Sequence, residues 1–423
     1  MINRTITGTH DTFSATVRVP GDKSLSHRAL LFAGMAEGDS LVTGRGTGLD
    51  IATTASALTS LGVTIHGDKV RSPGIRNWTS PSGSIDCGNS GTTMRLLAGA
   101  LSTSHVSATL FGDASLSKRT MKRLEKPLQA LGGRIETTDG YPPLVVGGAS
   151  NVRPADIRVD HASAQVRSAF ALAALAADGP STIDSPPGFR DHTERWLSAI
   201  HLGEWIDATT FRIDPGAIRP ARYDVPGDPS SAAFLWAAAA ISPGSHVLTP
   251  EVSLNPGRLG FLEILDKMGA RTDVIVTAST GGDPVGDVRV EGAALTGMRI
   301  DGALVASALD ELPLVAVLAA YAEGITKVRD ATELRVKETD RIDAVESMLV
   351  SLEGGVVTRE DGFDIVGTGV LSGGTVETHG DHRIAMATAI AATRASGPVE
   401  ILDSEVAAVS WPDFYETLEQ LWS

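Results

Sequence analysis

The sequence predicts an α/β (α+β) protein of two similar domains, each assembled from three copies of one small module. Three observations carry this expectation: a pattern that recurs six times, glycine stops just beyond apolar helical runs, and two matching VPGD segments that divide the chain. The recurring pattern is a helix of small apolar residues, a Gly turn or polar break, then a short alternating strand. It reads HRALLFAGMAEGDSLVTG from His27, MRLLAGALSTSHVSATLFG from Met94 and VRSAFALAALAADGPSTID from Val166. It returns as SAAFLWAAAAISPGSHVLTP from Ser231, LPLVAVLAAYAEGITKVRD from Leu312 and RIAMATAIAATRASGPVEIL from Arg383. The spacing of roughly 70 residues exceeds solenoid periods, so each copy reads as a small α/β module rather than one solenoid turn.

A second helix in several modules ends in Leu-Gly or Met-Gly before a strand, as in ALTSLGVTI, PLQALGGRIET and FLEILDKMGARTDV. Glycine just past the last apolar turn is the usual left-handed helix terminator. Each module therefore reads strand, helix, strand, helix, strands. The segments Val19–Asp22 and Val225–Asp228 concentrate Pro, Gly and Asp, a composition that suits a crossover as well as an ordinary loop. Crossovers there place residues 1–18 and 228–423 in one domain and 19–227 in an inserted one, with the hinge near 19–22 and 225–228.

A chain of 423 residues, 42% hydrophobic, has ample material for such cores, and an aromatic share of 5% favours close-packed helices over an aromatic-rich sandwich. The formal charge of −15 disfavours nucleic-acid or membrane-surface partners. A single cysteine, Cys87, excludes an intrachain disulfide and a Cys-rich metal site. MINRTITGTH shows no signal peptide, and Ala232–Ile241 is taken as the longest apolar run, well short of the ~20 residues a span needs. A soluble cytoplasmic protein is the expectation.

The basic residues stand in motifs dense in Gly, Ser and Asn. In PGDKSLSHRALL a strand over Thr16–Val19 ends at Pro20-Gly21 and a helix starts near Ser24 or Ser26, with Lys23 and Arg28 flanking the start. Free N–H groups and the positive dipole end suit a phosphate or carboxylate there, although an N-capped surface helix reads equally well. In CGNSGTTMRLL, Gly88, Asn89 and Gly91 allow close approach of backbone to ligand, with Arg95 one turn into the next helix. No Walker loop or dinucleotide fingerprint occurs. LFGDASLSKRTMKR offers Lys118 and Arg119 beyond a strand, and HASAQVRSA places Ser163 and Gln165 at another helix start. GFRDHTERW gathers Arg190, His192 and Glu194, with His192 read as structural because no second ligand has metal spacing. Later, SALDELPLVAV supplies Asp310 and Glu311, ELRVKETDRIDAV sets Lys337 and Arg341 at i, i+4 beside Glu338, and GDHRIAMA puts His382 and Arg383 before an Ala-rich helix. RVKETDR alone also fits a solvated, salt-bridged helix.

Taken together, GDKSLSHR, GNSGTTMR, SAQ, RDHTE, RVKETDR and DHRIAM resemble the EPSP synthase family in kind and order along essentially the whole chain. The resemblance implies two domains of three βαβαββ units with pseudo-threefold symmetry, an inverse α/β barrel, and an active site in the interdomain cleft. It implies transfer of the enolpyruvyl group of phosphoenolpyruvate to the 5-hydroxyl of shikimate 3-phosphate, with no metal or other cofactor and with the protein a monomer. It places shikimate 3-phosphate against Lys23, Ser24, Arg28, Ser163, Ala164, Gln165, Arg190, Asp310 and Lys337. Phosphoenolpyruvate falls to Lys23, Asn89, Gly91, Thr92, Arg119, Gln165, Arg341 and Arg383, with Asp310 the base, Glu338 the acid and Lys23 shared. It also sets the inhibitor glyphosate in the phosphoenolpyruvate pocket against Gly91.

Three residues depart from the common pattern: Ala164 where many members have Ser, Glu333 where others have Asn, and Val409 where many carry Lys. The Lys ligand therefore does not carry over. The nearest rival, the sister enzyme acting on UDP-N-acetylglucosamine, uses a reactive Cys on a mobile loop, whereas Cys87 immediately precedes the GNSGTTMR turn. A non-catalytic binder of phosphorylated acids leaves Asp310 and Glu338 unexplained, since carboxylates beside an anion site cost binding energy unless they move protons.

Overall fold

Small side chains let the repeated helices pack almost backbone to backbone, and that packing organises each half of the chain. The computed structural model describes residues 2–422. Contacts divide it into two units: Gly21–Pro226 with Ser279–Pro284, and the remainder, which runs up to Pro20, then Gly227–Ala278, then from Val285 onward.

The unit around Gly21–Pro226 holds α1 (Lys23–Met35), α2 (Leu49–Ser60), α3 (Gly91–Ser102), α4 (Lys122–Ala130), α5 (Ala164–Ala174) and α6 (His192–Ala199). Helix α1 is buried without a break from Leu25 to Met35, so it carries no amphipathic stripe and forms the middle of a core. Helices α3 and α5 meet at Gly99, where an added Cβ would lie 2.4 Å from the Ala169 carbonyl oxygen and 2.5 Å from its Cα.

Three four-stranded sheets surround these helices, all with one strand order. Ile85–Asp86 runs parallel to Ser107–Phe111, which pairs antiparallel with Tyr141–Gly147, and Ile135–Thr138 forms the far edge. Asp156–Arg158, Ser181–Asp184, Thr210–Ile213 and Gly203–Trp205 repeat the order. In the first sheet the parallel strand comes from the far end of the unit, as Arg222–Asp224 against Glu37–Thr43. Lys69–Pro73 and Thr64–His66 complete it.

The other unit holds α7 (Pro229–Ala240), α8 (Gly260–Met268), α9 (Gly302–Ala308), α10 (Leu312–Tyr321), α11 (Arg341–Ser351), α12 (His382–Ala392) and α13 (Phe414–Glu419). Its sheets follow the same order, with Ser14–Thr16 supplying the parallel strand for His246–Ser253. In the last, Gly374–Glu377 runs parallel to Val399–Leu402, and Arg4–Ile6 closes a sheet of only three strands. Among the described residues the βαβαββ module thus recurs as mixed α/β structure in six small open sheets, none of them closed on itself.

The two VPGD segments bond to each other: Asp22 N–H donates to the Pro226 carbonyl at 2.7 Å, and Asp228 N–H to that of Pro20 at 2.8 Å. Gly21 is required there because an added Cβ would lie 1.9 Å from the Gly44 carbonyl oxygen. Three expectations change. The strand before this turn is Ser14–Thr16, not Thr16–Val19, and α1 starts at Lys23 because the Asp22 carboxylate accepts the Leu25 N–H at 2.8 Å. The longest apolar helical run is also not Ala232–Ile241. Gly302–Tyr321 spans 20 residues, and an 18-residue window within it has mean hydropathy 1.8 and is 67% buried, a core element interrupted by the 3₁₀ turn Leu309–Glu311.

Gly99→Ala tests the helix packing. The methyl group has no room without backbone movement, so a loss of about 1–3 kcal/mol is expected in urea denaturation. An unchanged midpoint would show that α3 and α5 are not packed at this distance.

Candidate active site

Lys23, Arg28, Arg95, Arg119, Lys337, Arg341 and Arg383 are each held by a neighbour, and the holding group differs between the units. In the first unit, Lys23 at the start of α1 forms an ion pair with Asp50 of α2. Arg28, one turn on, is buried, and all its nitrogens donate: Nε to Thr193 Oγ1 at 2.7 Å, Nη2 to Ser168 Oγ at 2.8 Å and Nη1 to the Ser24 carbonyl at 2.9 Å. Burial lowers its pKa, opposed by Glu194, Asp22 and Asp283, while the nearby charge of Arg190 lowers it further.

The turn before α3 is arranged by amides. Asn89 accepts from Arg119 Nη2 at 2.7 Å and donates to Asp113 at 2.8 Å. Gln165, at the start of α5, accepts from Arg95 Nη1 at 2.5 Å and donates to Thr92 Oγ1 at 3.0 Å. Arg95, which the sequence reading located without giving it a ligand, is thus drawn into the same group, its pKa lowered to about 10 by burial and by Arg119 and Arg123. Ser163 caps α5 by accepting the Val166 N–H at 3.4 Å, and Ala164 is that helix's first residue. Beside them, Glu194 holds Arg167 at 2.6 Å with both fully buried, and His192 pairs with Asp283 at 2.9 Å.

In the second unit four carboxylates share one cluster with three cations. Arg341, 1% exposed, donates from Nε to Asp381 at 2.8 Å and from Nη2 to Glu338 at 2.8 Å, while Nη1 lies 3.6 Å from Asp310. Burial pulls the Arg341 pKa down, but Asp381, Glu338 and Asp310 outweigh it and hold it raised. Lys337 donates to Asp310 at 3.3 Å, and Arg383 donates to the Asp310 carbonyl at 2.9 Å and to Glu311 at 3.2 Å. Asp381 also caps α12 by accepting the Arg383 N–H at 2.8 Å, beside His382. Lys337 and Arg341 are not one turn apart on a helix, however. A 3₁₀ turn covers Thr332–Val336, and Asp340 caps α11 so that it begins at Arg341. No group of three or more His, Cys, Asp or Glu among the described residues is arranged to hold a metal ion.

The fold and these side chains define the class: a six-module α/β protein with cations and amides gathered at helix starts. Residues 8–418 match the family model described as EPSP synthase (3-phosphoshikimate 1-carboxyvinyltransferase). The 3-phosphoshikimate 1-carboxyvinyltransferase of Halorhodospira halophila is 45% identical over 411 residues, covering 96% of this chain and 93% of the relative. That of Roseiflexus castenholzii is also 45% identical, over 416 residues and 96% of each chain. The EPSP synthase structure from Acinetobacter baumannii superposes with a TM-score of 0.89 at 38% identity, covering 99% of this chain and 98% of that one. The chain belongs to the EPSP synthase family.

His27 supplies a pH test of this region. Burial, opposed by Asp50 and reinforced by Lys23 and Arg28, lowers its pKa to about 3. The unfolded chain binds a proton near pH 6.5 that the folded chain refuses, so stability falls as pH drops from about 6.5 toward 3. The slope contributed is at most about 1.4 kcal/mol per pH unit. Urea midpoints of His27→Gln are expected to fall less steeply than wild type between pH 6.5 and 4.5; parallel profiles would mean His27 titrates normally.

Proposed function

We propose that this chain catalyses the reaction for which its relatives are named, joining phosphoenolpyruvate to shikimate 3-phosphate. The observation that carries the reading is the placement of Asp310 and Glu338 on the same buried cation, Arg341, within a family match spanning the chain. Asp310 takes the proton of the attacking 5-hydroxyl, whose oxygen bonds to C2 of phosphoenolpyruvate while Glu338 gives a proton to C3. The tetrahedral adduct then returns a C3 proton to the Glu338 carboxylate and breaks its C2–O bond to phosphate, giving the enolpyruvyl ether and inorganic phosphate.

Lys23 is shared by both substrates. Ser24, Arg28, Ser163, the Ala164 backbone, Gln165, Arg190, Asp310 and Lys337 take shikimate 3-phosphate. Asn89, Gly91, Thr92, Arg119, Gln165, Arg341 and Arg383 take phosphoenolpyruvate. Arginine suits bidentate grip on carboxylate and phosphate, and lysine acts as a point charge. Substrate anions replace the carboxylates and amides that now occupy these cations. The UDP-N-acetylglucosamine alternative is not favoured, because Cys87 is buried and burial, with Asp86, pushes its thiol up to about 12. A cytoplasmic monomer completes the reading, and light scattering at the monomer mass tests its oligomeric part.

Phosphate release should require both substrates together; release with neither pairing, or with UDP-N-acetylglucosamine instead, contradicts the proposal. Asp310→Asn and Glu338→Gln should fold normally and lose about 10²–10⁴ in kcat. Near-wild-type turnover in both would remove the assigned roles.

Gly91 gives a second test. An added Cβ there lies 2.8 Å from Arg95 Nη1 and 3.7 Å from Arg119 Nη1, so the methyl meets a flexible guanidinium before any ligand. Gly91→Ala should therefore fold, raise the phosphoenolpyruvate KM several-fold through Arg95 and Gln165, and raise the glyphosate inhibition constant more. Inhibition kinetics showing equal changes would contradict a selective role for Gly91.

A further inference from the structure

A chain of buried hydroxyls runs from His27 to Ser90 and has no part in the chemistry assigned above. His27 Nδ1 on α1 lies 2.7 Å from Thr54 Oγ1 on α2, which lies 2.6 Å from Thr93 Oγ1 on α3. Thr93 Oγ1 donates to Ser90 Oγ at 2.8 Å. Ser90 is the N-cap of α3, and its Oγ also accepts the Thr93 N–H at 3.1 Å. All four side chains are at most 1% exposed.

Each hydroxyl has one hydrogen, which fixes the direction of the whole chain. Either hydroxyl could supply the hydrogen between Thr54 and Thr93, but only a hydrogen from Thr54 leaves that of Thr93 for Ser90, the nearer of its other two acceptors at 2.8 Å against 3.4 Å for the Asp50 carbonyl, so that all three side-chain bonds form at once. Thr93 therefore accepts from Thr54, and Thr54 accepts from His27 Nδ1–H. This requires a neutral imidazole with its hydrogen on Nδ1. His27 Nε2, which makes no hydrogen bond, is then a bare acceptor, less costly to bury unpaired than an N–H. The observed burial and the lowered pKa agree with that form.

We infer that the His27–Thr54–Thr93 chain is a positioning device that ties the N-cap of α3, and with it the Asn89–Thr92 turn, to the helix bearing Lys23. The inference rests on the reading of that turn as part of the phosphoenolpyruvate site. These residues touch no substrate. Their work is to hold the backbone N–H groups of the turn in place before the anion arrives, so that binding does not have to order them. The hydroxyl of Thr54 is the central link, because it alone joins the imidazole to α3.

The test compares Thr54→Val, which keeps the shape and removes the hydroxyl, with Thr54→Ser, which keeps the hydroxyl. Steady-state kinetics should show the phosphoenolpyruvate KM raised about tenfold in Thr54→Val, equivalent to about 1.4 kcal/mol. Its kcat and its KM for shikimate 3-phosphate should stay within about twofold of wild type, and Thr54→Ser should match wild type throughout. Packing alone predicts the reverse order, with Ser the worse variant. An unchanged KM in Thr54→Val, or equal losses in both variants, overturns the inference. If wild type releases no phosphate, the functional reading fails, and amide exchange at Gly91–Thr93 decides the inference separately. Faster exchange in Thr54→Val but not in Thr54→Ser supports the tie; equal exchange in all three overturns it.

Discussion

The carboxylate of Asp381 holds Arg341, and the second unit's cluster is arranged around that contact. Arg341 is almost entirely removed from water, and a guanidinium left unpaired there would cost several kcal/mol. Asp381 supplies the paired charge and, from its other oxygen, the N-cap of α12, which sets Arg383 in that helix's first turn. Glu338 and Asp310 then face a cation that is already fixed. The pair therefore converts a helix start into a rigid platform on which two carboxylates keep company with three cations.

The first unit meets the same need differently. Asp50 holds Lys23 by charge, but Asn89 and Gln165 hold Arg119 and Arg95 through neutral amides. An amide satisfies a guanidinium's hydrogen bonds without cancelling its charge, so the turn before α3 keeps a positive field. In the proposed reaction an entering anion would displace little charge there, whereas in the second unit it would compete directly with carboxylates. That division suits a reaction in which one region grips and the other must also accept and donate protons.

The six modules were legible because small apolar runs followed by Gly stops repeat along the chain, and only close helix packing gives those runs a purpose. The helix starts at Ser163 and Arg383 were legible, whereas α1 was expected to begin near Ser24 or Ser26 because the Asp22 cap was not read. The partners were not. Asp50 lies inside GLDIATT with no local sign that it faces Lys23, and Asp381 stands 40 residues from Arg341. RVKETDR misled in a different way, since its four-residue spacing imitates a helical turn until the Asp340 cap delays α11 to Arg341. The strand orders show why the modules of each unit are not simply consecutive: Ser14–Thr16 is separated from its helix α7 by the whole inserted unit, and Arg222–Asp224 returns to complete the first sheet.

In the proposed reaction these carboxylates deliver and remove protons at carbon and oxygen while the cations stay fixed. Turnover in D₂O, with the enolpyruvyl methylene followed by NMR, tests it most directly. Protonation at C3 followed by loss of a proton should leave deuterium in the methylene group of the product, and Glu338→Gln should slow that incorporation together with phosphate release. Product formed without deuterium would contradict the addition–elimination account, because no proton would then have reached the carbon.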